Sequence, residues 1–139
     1  MLQLGENEYD ILVNHARAGF PKEACGLVGG LVIEDVKVIK EVYLLRNLDE
    51  SSEHFSMDPA EQLSAVKDLR SKGYVLFGNF HSHPQTPSRP SEEDKRLAYD
   101  PKASYLILSL QNIENPVLKA FRISGENVQE EEIILIHNK

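Results

Sequence analysis

The sequence predicts a single-domain α/β fold in which a mixed β-sheet is flanked by helices. Two nearly continuous apolar runs, 74–80 and 104–110, are typical of central strands that are covered on both faces. Segments with helical periodicity lie before and between these runs. The length of 139 residues suits one hydrophobic core and is short for two. We therefore predict one domain over residues 1–139.

The N-terminal part of the chain predicts a helix followed by a β-meander. Segment 6–18 carries acidic residues in its first turn and apolar residues on one side, and it ends before Gly19. A strand is predicted over 24–30. The β structure continues to residue 45, with a turn near Glu34-Asp35.

The segment 46–57 predicts a long loop, because it is rich in Ser, Glu, Asp and Asn and has no clear period. Such loops often carry function, although a solvated connection fits the same composition. A helix then begins at Asp58, which is its N-cap. Pro59 is the first helical residue, and Glu61 is the acidic partner of the cap. Gly73 is predicted to end this helix.

The C-terminal half completes the predicted sheet. A short helix at 91–98 separates the two central strands, and later strands are predicted at 117–123 and 133–136. Because both central runs are apolar throughout, helices are expected to cover the sheet.

Composition limits the classes of partner. Fifteen basic and 22 acidic side chains give a net charge of -7, and no Lys/Arg cluster could follow a phosphate backbone, so no nucleic acid partner is expected. No apolar run reaches the roughly 20 residues that cross a bilayer, so no membrane span is expected. The N-terminus lacks the features of a secretory signal, which indicates a cytoplasmic protein. The single cysteine, Cys25, excludes an intramolecular disulfide and a zinc site built from several thiolates.

A metal site is predicted where the first central run ends. His81 and His83 follow that run, and residues two apart on a strand point the same way, so both imidazoles can face one ion at about 2.0–2.1 Å. Ser91 begins the next helix and would aim Asp94, in its first turn, toward the strand end. Taken singly, the histidine pair could be incidental and Ser91-x-x-Asp94 an ordinary helix cap. Together they predict one Zn²⁺ ion with water as its fourth ligand, the arrangement of a catalytic zinc.

The spacing is specific to a known family. The chain carries His81-x-His83, then Ser91 after seven further residues and Asp94 after two more. This arrangement resembles the signature of the JAMM (MPN+) metalloproteases, which include zinc deubiquitinases and their prokaryotic relatives. Segment 21–27 resembles the first motif of that family, in which a glutamate, here Glu23, precedes the first strand of the meander. The order of elements also agrees over nearly the whole chain, which implies a JAMM/MPN, cytidine deaminase-like architecture.

The resemblance implies roles for two further residues. Glu23 would accept a proton from the attacking water and deliver it to the leaving amine, as general base and then acid. Ser91 would donate a hydrogen bond to the oxyanion that develops on the scissile carbonyl, and it could cap its helix as well. The residues alone do not show that Glu23 approaches the metal, since 58 positions separate it from His81.

The resemblance also implies a substrate. The chain lacks the insertions and extra Cys and His of eukaryotic relatives and looks like the minimal stand-alone prokaryotic type. The implied substrate is a ubiquitin-like or sulfur-carrier β-grasp protein, cleaved after its C-terminal Gly-Gly at a peptide or isopeptide bond. We hypothesise that the 46–57 loop, with Phe55 and Met57, borders the groove for this tail. The oligomeric state is left open.

Three other functions are less consistent with the sequence. A catalytically silent MPN-fold scaffold that binds a protein partner would lack the metal ligands, whereas all of them are present. A nucleoside or base deaminase needs a Pro-Cys-x-x-Cys ligand pair, which one cysteine cannot supply. The His-Glu-x-x-His motif of helix-borne zinc proteases is absent from the sequence. The sequence therefore favours a JAMM-type zinc metallopeptidase.

Overall fold

The computed structural model describes residues 1–137, which form eight strands and three helices. The last two residues of the predicted 1–139 domain lie outside the described residues. The elements, in chain order, are β1 (Leu2–Gly5), α1 (Glu6–Gly19), β2 (Cys25–Ile33), β3 (Val36–Leu45), α2 (Pro59–Ser71), β4 (Val75–His83), α3 (Glu92–Arg96), β5 (Ser104–Ser109), β6 (Val117–Ser124), β7 (Asn127–Glu131) and β8 (Ile133–Ile136).

All eight strands belong to one sheet, in the order β7-β6-β5-β4-β2-β3-β1-β8. The β4–β5, β1–β3 and β1–β8 pairs are parallel and the others are antiparallel, so the predicted mixed α/β fold is confirmed. The edge strands β7 and β8 are consecutive in the chain and are separated only by Glu132. The sheet must therefore curl until its two edges lie close together.

Helices cover both faces of this sheet. Leu12 and Ala16 of α1 pack into a core that includes Phe80 of β4 and Leu106 of β5. On the other face, Ala65 of α2 belongs to a separate cluster around Cys25, Leu27 and Leu45. Because side chains alternate along β4, the burial of Phe80 beneath α1 leaves the odd-numbered residues that follow it on the opposite face.

The strand that carries the histidine pair is longer than predicted. Pairing with β5 continues through His81 and His83, which lie opposite Ile107 and Ser109. The predicted ligands are therefore part of the strand and share its hydrogen bonding. The prediction that this strand is covered throughout was wrong at its start, where Leu76 is 46% exposed, whereas every residue of β5 is buried.

Two short strands were not predicted. β1 alternates buried Leu2 and Leu4 with less buried residues but has only four residues, which is too short to stand out in the sequence. β7 consists of Asn, Val, Gln and two Glu residues at an edge of the sheet and shows no apolar pattern. The helix predicted at 91–98 is shorter and ends at Arg96. The longest helix, α1, has 14 residues, and no helix within residues 1–137 is suited to crossing a membrane.

Candidate metal centre

Three ligand atoms meet at the end of β4. The Nε2 atoms of His81 and His83 lie 3.1 Å apart, and Asp94 Oδ2 lies 3.2 Å from the first and 3.1 Å from the second. Both imidazoles are buried, and the Asp94 side chain is 11% exposed. The structure thus brings together the three residues that the sequence predicted as metal ligands.

The geometry of this triangle fits a zinc ion. Donor atoms held about 2.0–2.1 Å from a tetrahedral zinc lie about 3.3–3.4 Å apart, which is a few tenths of an ångström wider than the triangle seen here. Two imidazole nitrogens and a carboxylate oxygen are also the donor types that zinc accepts in catalytic sites. Three electron-rich atoms in mutual contact need shared protons or a cation between them. The donor set therefore fits the predicted ion.

The 46–57 loop and the turn after β4 orient the histidines. The ring of His81 is stacked with Phe55, with centroids 4.5 Å apart and an interplanar angle of 20°. His83 Nδ1 lies 3.0 Å from the carbonyl oxygen of Pro87. A proton on Nδ1 donated to this carbonyl leaves the lone pair of His83 on Nε2, the atom that faces the other ligands.

Asp94 is positioned by the cap of its own helix. The Ser91 backbone N–H donates to Asp94 Oδ2 over 2.9 Å, and the Asp94 N–H donates to Ser91 Oγ over 3.0 Å, which completes a reciprocal capping box. The ordinary capping interpretation of this motif is therefore correct. It does not exclude the metal interpretation, because the same Oδ2 atom contacts both imidazoles.

Electrostatics favour the metal-binding forms of Asp94 and His81, whereas at His83 burial is outweighed by the hydrogen bonds to Asp94 and Pro87, which raise its pKa. Burial opposes ionisation of Asp94, but hydrogen bonds from both imidazoles and from the Ser91 N–H hold its pKa well below the usual range. Burial lowers the pKa of His81, although Asp94 opposes the shift. A carboxylate and a neutral imidazole are the ligand forms of these side chains.

Glu23 reaches the site because the chain before β2 is fastened to β4. The Ser82 N–H donates to the Ala24 carbonyl over 2.9 Å, and the Ala24 N–H donates to Ser82 Oγ over 2.8 Å. These bonds join residues 58 positions apart and place Glu23 beside the ligand strand. Sequence reasoning missed Ser82, although a hydroxyl that is buried between two buried histidines needs a partner.

The loop is tied to Glu23 by its backbone. The Glu23 N–H donates to the Ser51 carbonyl over 2.7 Å, and the Glu23 carbonyl accepts from Asn47 Nδ2 over 2.9 Å. Asn47 Oδ1 also accepts the Ser56 N–H, and His54 contacts Glu93 next to the metal triangle. The predicted long loop is therefore an ordered wall of the site. Sequence reasoning missed Asn47, because it is one of many polar residues in this loop and no pattern distinguishes it from the others.

The Glu23 carboxyl is buried among charged groups. Its side chain is enclosed by the protein, with the residue 6% exposed. Burial raises the pKa of Glu23 to about 8; His83 acts to lower it, whereas Asp94 and Glu93 raise it further. The carboxyl therefore lies within electrostatic range of two members of the metal triangle, His83 and Asp94.

This raised pKa predicts a pH-dependent stability in the metal-free protein. The carboxyl titrates near 4.5 when unfolded and near 8 when folded, so the folded state holds a proton that the unfolded state has released. The free energy of unfolding should therefore fall as pH rises from about 5 to 8, by up to about 1.4 kcal/mol per pH unit from this group. Urea denaturation in the presence of a chelator measures it.

Glu23→Gln is the matched variant for this measurement. It keeps the size of the side chain and removes the titrating group, whereas every other ionisable group is the same in both proteins. The difference between the two unfolding curves should grow in favour of Glu23→Gln as pH rises. Parallel pH dependences would show that the buried carboxyl does not carry the effect.

Comparisons with known proteins agree with this site. Residues 6–124 match the family model Prok-JAB, described as prokaryotic homologs of the JAB domain. The CysO-cysteine peptidase of Mycobacterium tuberculosis is 30% identical over 125 residues, which cover 90% of this chain and 84% of that protein. The desampylase of Haloferax volcanii is 31% identical over 113 residues, covering 78% and 80%.

A solved structure is similar over almost the whole chain. The solution structure of protein DSY2949 from Desulfitobacterium hafniense is 55% identical, with a TM-score of 0.91, and the match covers 99% of this chain and 94% of that one. The family match spans the chain from α1 to the end of β6 and so includes every predicted site residue. The chain therefore belongs to the prokaryotic homologues of the JAB domain, the stand-alone branch of the JAMM/MPN metallopeptidase family.

Proposed function

We propose that the protein is a zinc-dependent hydrolase that cleaves a peptide or isopeptide bond after the C-terminal Gly-Gly of a ubiquitin-like or sulfur-carrier protein. One observation carries the proposal: His81, His83 and Asp94 place three ligand atoms within 4.8 Å of one another, and Glu23 is buried beside them. A catalytically silent scaffold would have no need for this set of side chains.

His81, His83 and Asp94 would hold one zinc ion and leave a fourth position open to water. When bound there, zinc acts as a Lewis acid and lowers the pKa of water from about 15.7 to about 7. The cap at Ser91 and the Pro87 carbonyl keep Asp94 and His83 in place, so the ligands need little rearrangement.

Glu23 would act as the proton carrier. Its ionised carboxylate accepts a proton from the attacking water, and the carboxylic acid so formed donates that proton to the leaving amine. Burial raises the pKa of Glu23 to about 8, and a divalent cation on the adjacent ligands would lower it again. The two effects act on the pKa of Glu23 in opposite directions, and a general base works best when its pKa lies near the working pH.

Ser91 would stabilise the oxyanion of the tetrahedral intermediate. Its Oγ accepts the Asp94 N–H, which leaves the hydroxyl proton free to be donated. The residue is exposed at the site, as a donor to substrate must be. Loss of one such donor costs about 2.7–4 kcal/mol of transition-state stabilisation.

The substrate class is proposed from the family resemblance and from its relatives. One relative is named a CysO-cysteine peptidase and another a desampylase. Both names are compatible with cleavage at the C terminus of a small carrier protein. The net charge of -7 gives no sign of a nucleic acid partner.

The proposal is tested by incubating the zinc-loaded protein with cellular β-grasp carriers extended beyond their Gly-Gly ends, and by identifying the products by mass. Cleavage after Gly-Gly that stops when zinc is chelated is the expected result. Carriers that bind but stay intact would favour the silent MPN scaffold. A protein that takes up no zinc would contradict the whole proposal.

Phe55→Ala is expected to raise the KM for a carrier-fused substrate by roughly 5–30-fold, with kcat changed less. Phe55 is half-buried over the His81 ring, where its outer side can contact a tail in the groove. A truncated aromatic contact typically costs about 1–2 kcal/mol in binding. Steady-state kinetics with a carrier fusion measure the change.

Two variants control for this effect. Val32→Ala removes an apolar side chain that is 58% exposed at the far end of β2, and it should leave KM unchanged. Met57 packs against the cluster of Cys25 and Leu27, so Met57→Ala should act through loop packing and lower stability as well as affinity. An unchanged KM for Phe55→Ala would show that the loop does not border the substrate groove.

A further inference from the structure

A small cavity adjoins the metal centre and is lined in part by His81 and Asp94. It leaves about 30 Å³ for water-sized molecules, and its walls include Asn79, Tyr105 and Ile123. Two polar atoms of these surroundings are buried without a hydrogen-bond partner among residues 1–137: Asn79 Oδ1 and His81 Nδ1. Buried polar atoms are normally satisfied, so two such atoms at one cavity call for a common explanation.

The two atoms lie on the same side of the sheet. Asn79 and His81 are two residues apart in β4, so both side chains point to the face that carries the ligand triangle. Neither side chain can turn to the other face, because Phe80 and the core beneath α1 occupy it. The amide and the imidazole therefore share one enclosed space.

Their hydrogen-bonding needs are complementary. His81 Nε2 lies in the ligand triangle, so its lone pair must face the metal and its proton must reside on Nδ1. Nδ1–H is then a donor without an acceptor, and Asn79 Oδ1 is an acceptor without a donor. The cavity exceeds the roughly 10–15 Å³ that a single water needs.

The same need is met differently at the second histidine. His83 Nδ1 has the Pro87 carbonyl at 3.0 Å as its acceptor. No described backbone carbonyl plays this part for His81, whose Nδ1 is buried without a partner although the residue lines the cavity. An outer acceptor of this kind fixes the tautomer of a metal-binding imidazole and its ring orientation.

We propose that Asn79 is a positioning residue of the metal centre, and that its Oδ1 accepts a hydrogen bond from His81 Nδ1–H through one water molecule held in the cavity. This inference rests on the proposed metal site. It assigns Asn79 no contact with substrate or with the ion. Its effect is to hold the His81 ring with Nε2 toward the metal.

The test compares zinc affinity in four proteins by chelator competition: wild type, Asn79→Leu, Asn79→Asp and Ile123→Val. Asn79→Leu keeps a similar volume and removes the acceptor, so the zinc Kd should rise by about 10–100-fold. Asn79→Asp restores an acceptor and should recover most of the affinity. Ile123→Val alters the same cavity wall without touching a polar atom, and its Kd should match that of the wild type.

A second readout separates positioning from packing. Long-range ¹H–¹⁵N NMR of the zinc-loaded proteins should show a slowly exchanging Nδ1–H on His81 in the wild type and in Asn79→Asp, and a fast-exchanging one in Asn79→Leu. Equal zinc Kd values and equal exchange for Asn79→Leu and the wild type would overturn the inference. If the wild type itself bound no zinc, the proposed function would fail instead, and the two failures are thus distinguishable.

Discussion

Glu23→Gln is expected to lower kcat by about 10²–10⁴-fold while leaving zinc bound. General acid–base catalysis by one positioned side chain contributes a factor of that size. The glutamine keeps the volume of Glu23 and its place beside Ala24, whose backbone is fastened to Ser82, but it cannot accept a proton. The ligand triangle does not include Glu23, so metal content should not change.

The measurement pairs turnover of a carrier fusion with zinc stoichiometry. Glu92→Gln is the matched control, because it makes the same substitution on an acid of α3 whose side chain is 73% exposed. That variant should turn over at the wild-type rate. Wild-type turnover by Glu23→Gln would show that another group carries the proton. Zinc loss in Glu23→Gln would instead place Glu23 among the ligands.

Most of the fold could be predicted because its central elements carry strong periodic signals. The helix at α1, the cap and proline at the start of α2, and the apolar β5 strand all agree with the sequence patterns. Of the elements that were missed, β1 is only four residues long and pairs with strands distant in sequence. Leu2, for example, pairs with both Lys37 and Ile133. β7 forms a hairpin with the adjacent β6, but most of its residues are polar or charged.

The metal ligands could be predicted because they are local. His81 and His83 share a strand face through the two-residue period of a β-strand, and Asp94 is aimed by a helix cap visible in the sequence. The side chains that surround them could not be found in this way. Glu23 is brought to the site by strand pairing across 58 residues, which only the family resemblance anticipated.

The ordered structure of the 46–57 loop could not be predicted from its sequence either. Its composition predicts an irregular segment, and it is one, but its order comes from single contacts that no pattern encodes. Asn47 bonds to the backbone at both Glu23 and His54, and Phe55 is stacked on His81. A stretch of polar residues that is indistinguishable from a solvated connection thus forms a wall of the active centre.

His83→Ala is expected to lose both zinc binding and hydrolysis. The substitution removes one of three protein ligands, so the zinc Kd should rise by more than the about 10–100-fold that loss of an outer partner costs. His83 also supplies one of the two imidazoles that hydrogen-bond Asp94, so the carboxylate loses a partner at the same time. His54→Ala, which alters a histidine whose side chain is 52% exposed outside the triangle, should keep the metal.

Thermal unfolding with and without zinc provides a readout that does not depend on activity. Zinc at 100 times its Kd should stabilise the wild type by about 2.7 kcal/mol, since only the folded state presents the three ligands together. His83→Ala should show no such shift, while its metal-free form stays folded because the cores on both faces of the sheet remain intact. A wild-type-sized zinc shift in His83→Ala would mean that the ion is held elsewhere, and the convergence of His81, His83 and Asp94 would then have to be explained by hydrogen bonding alone.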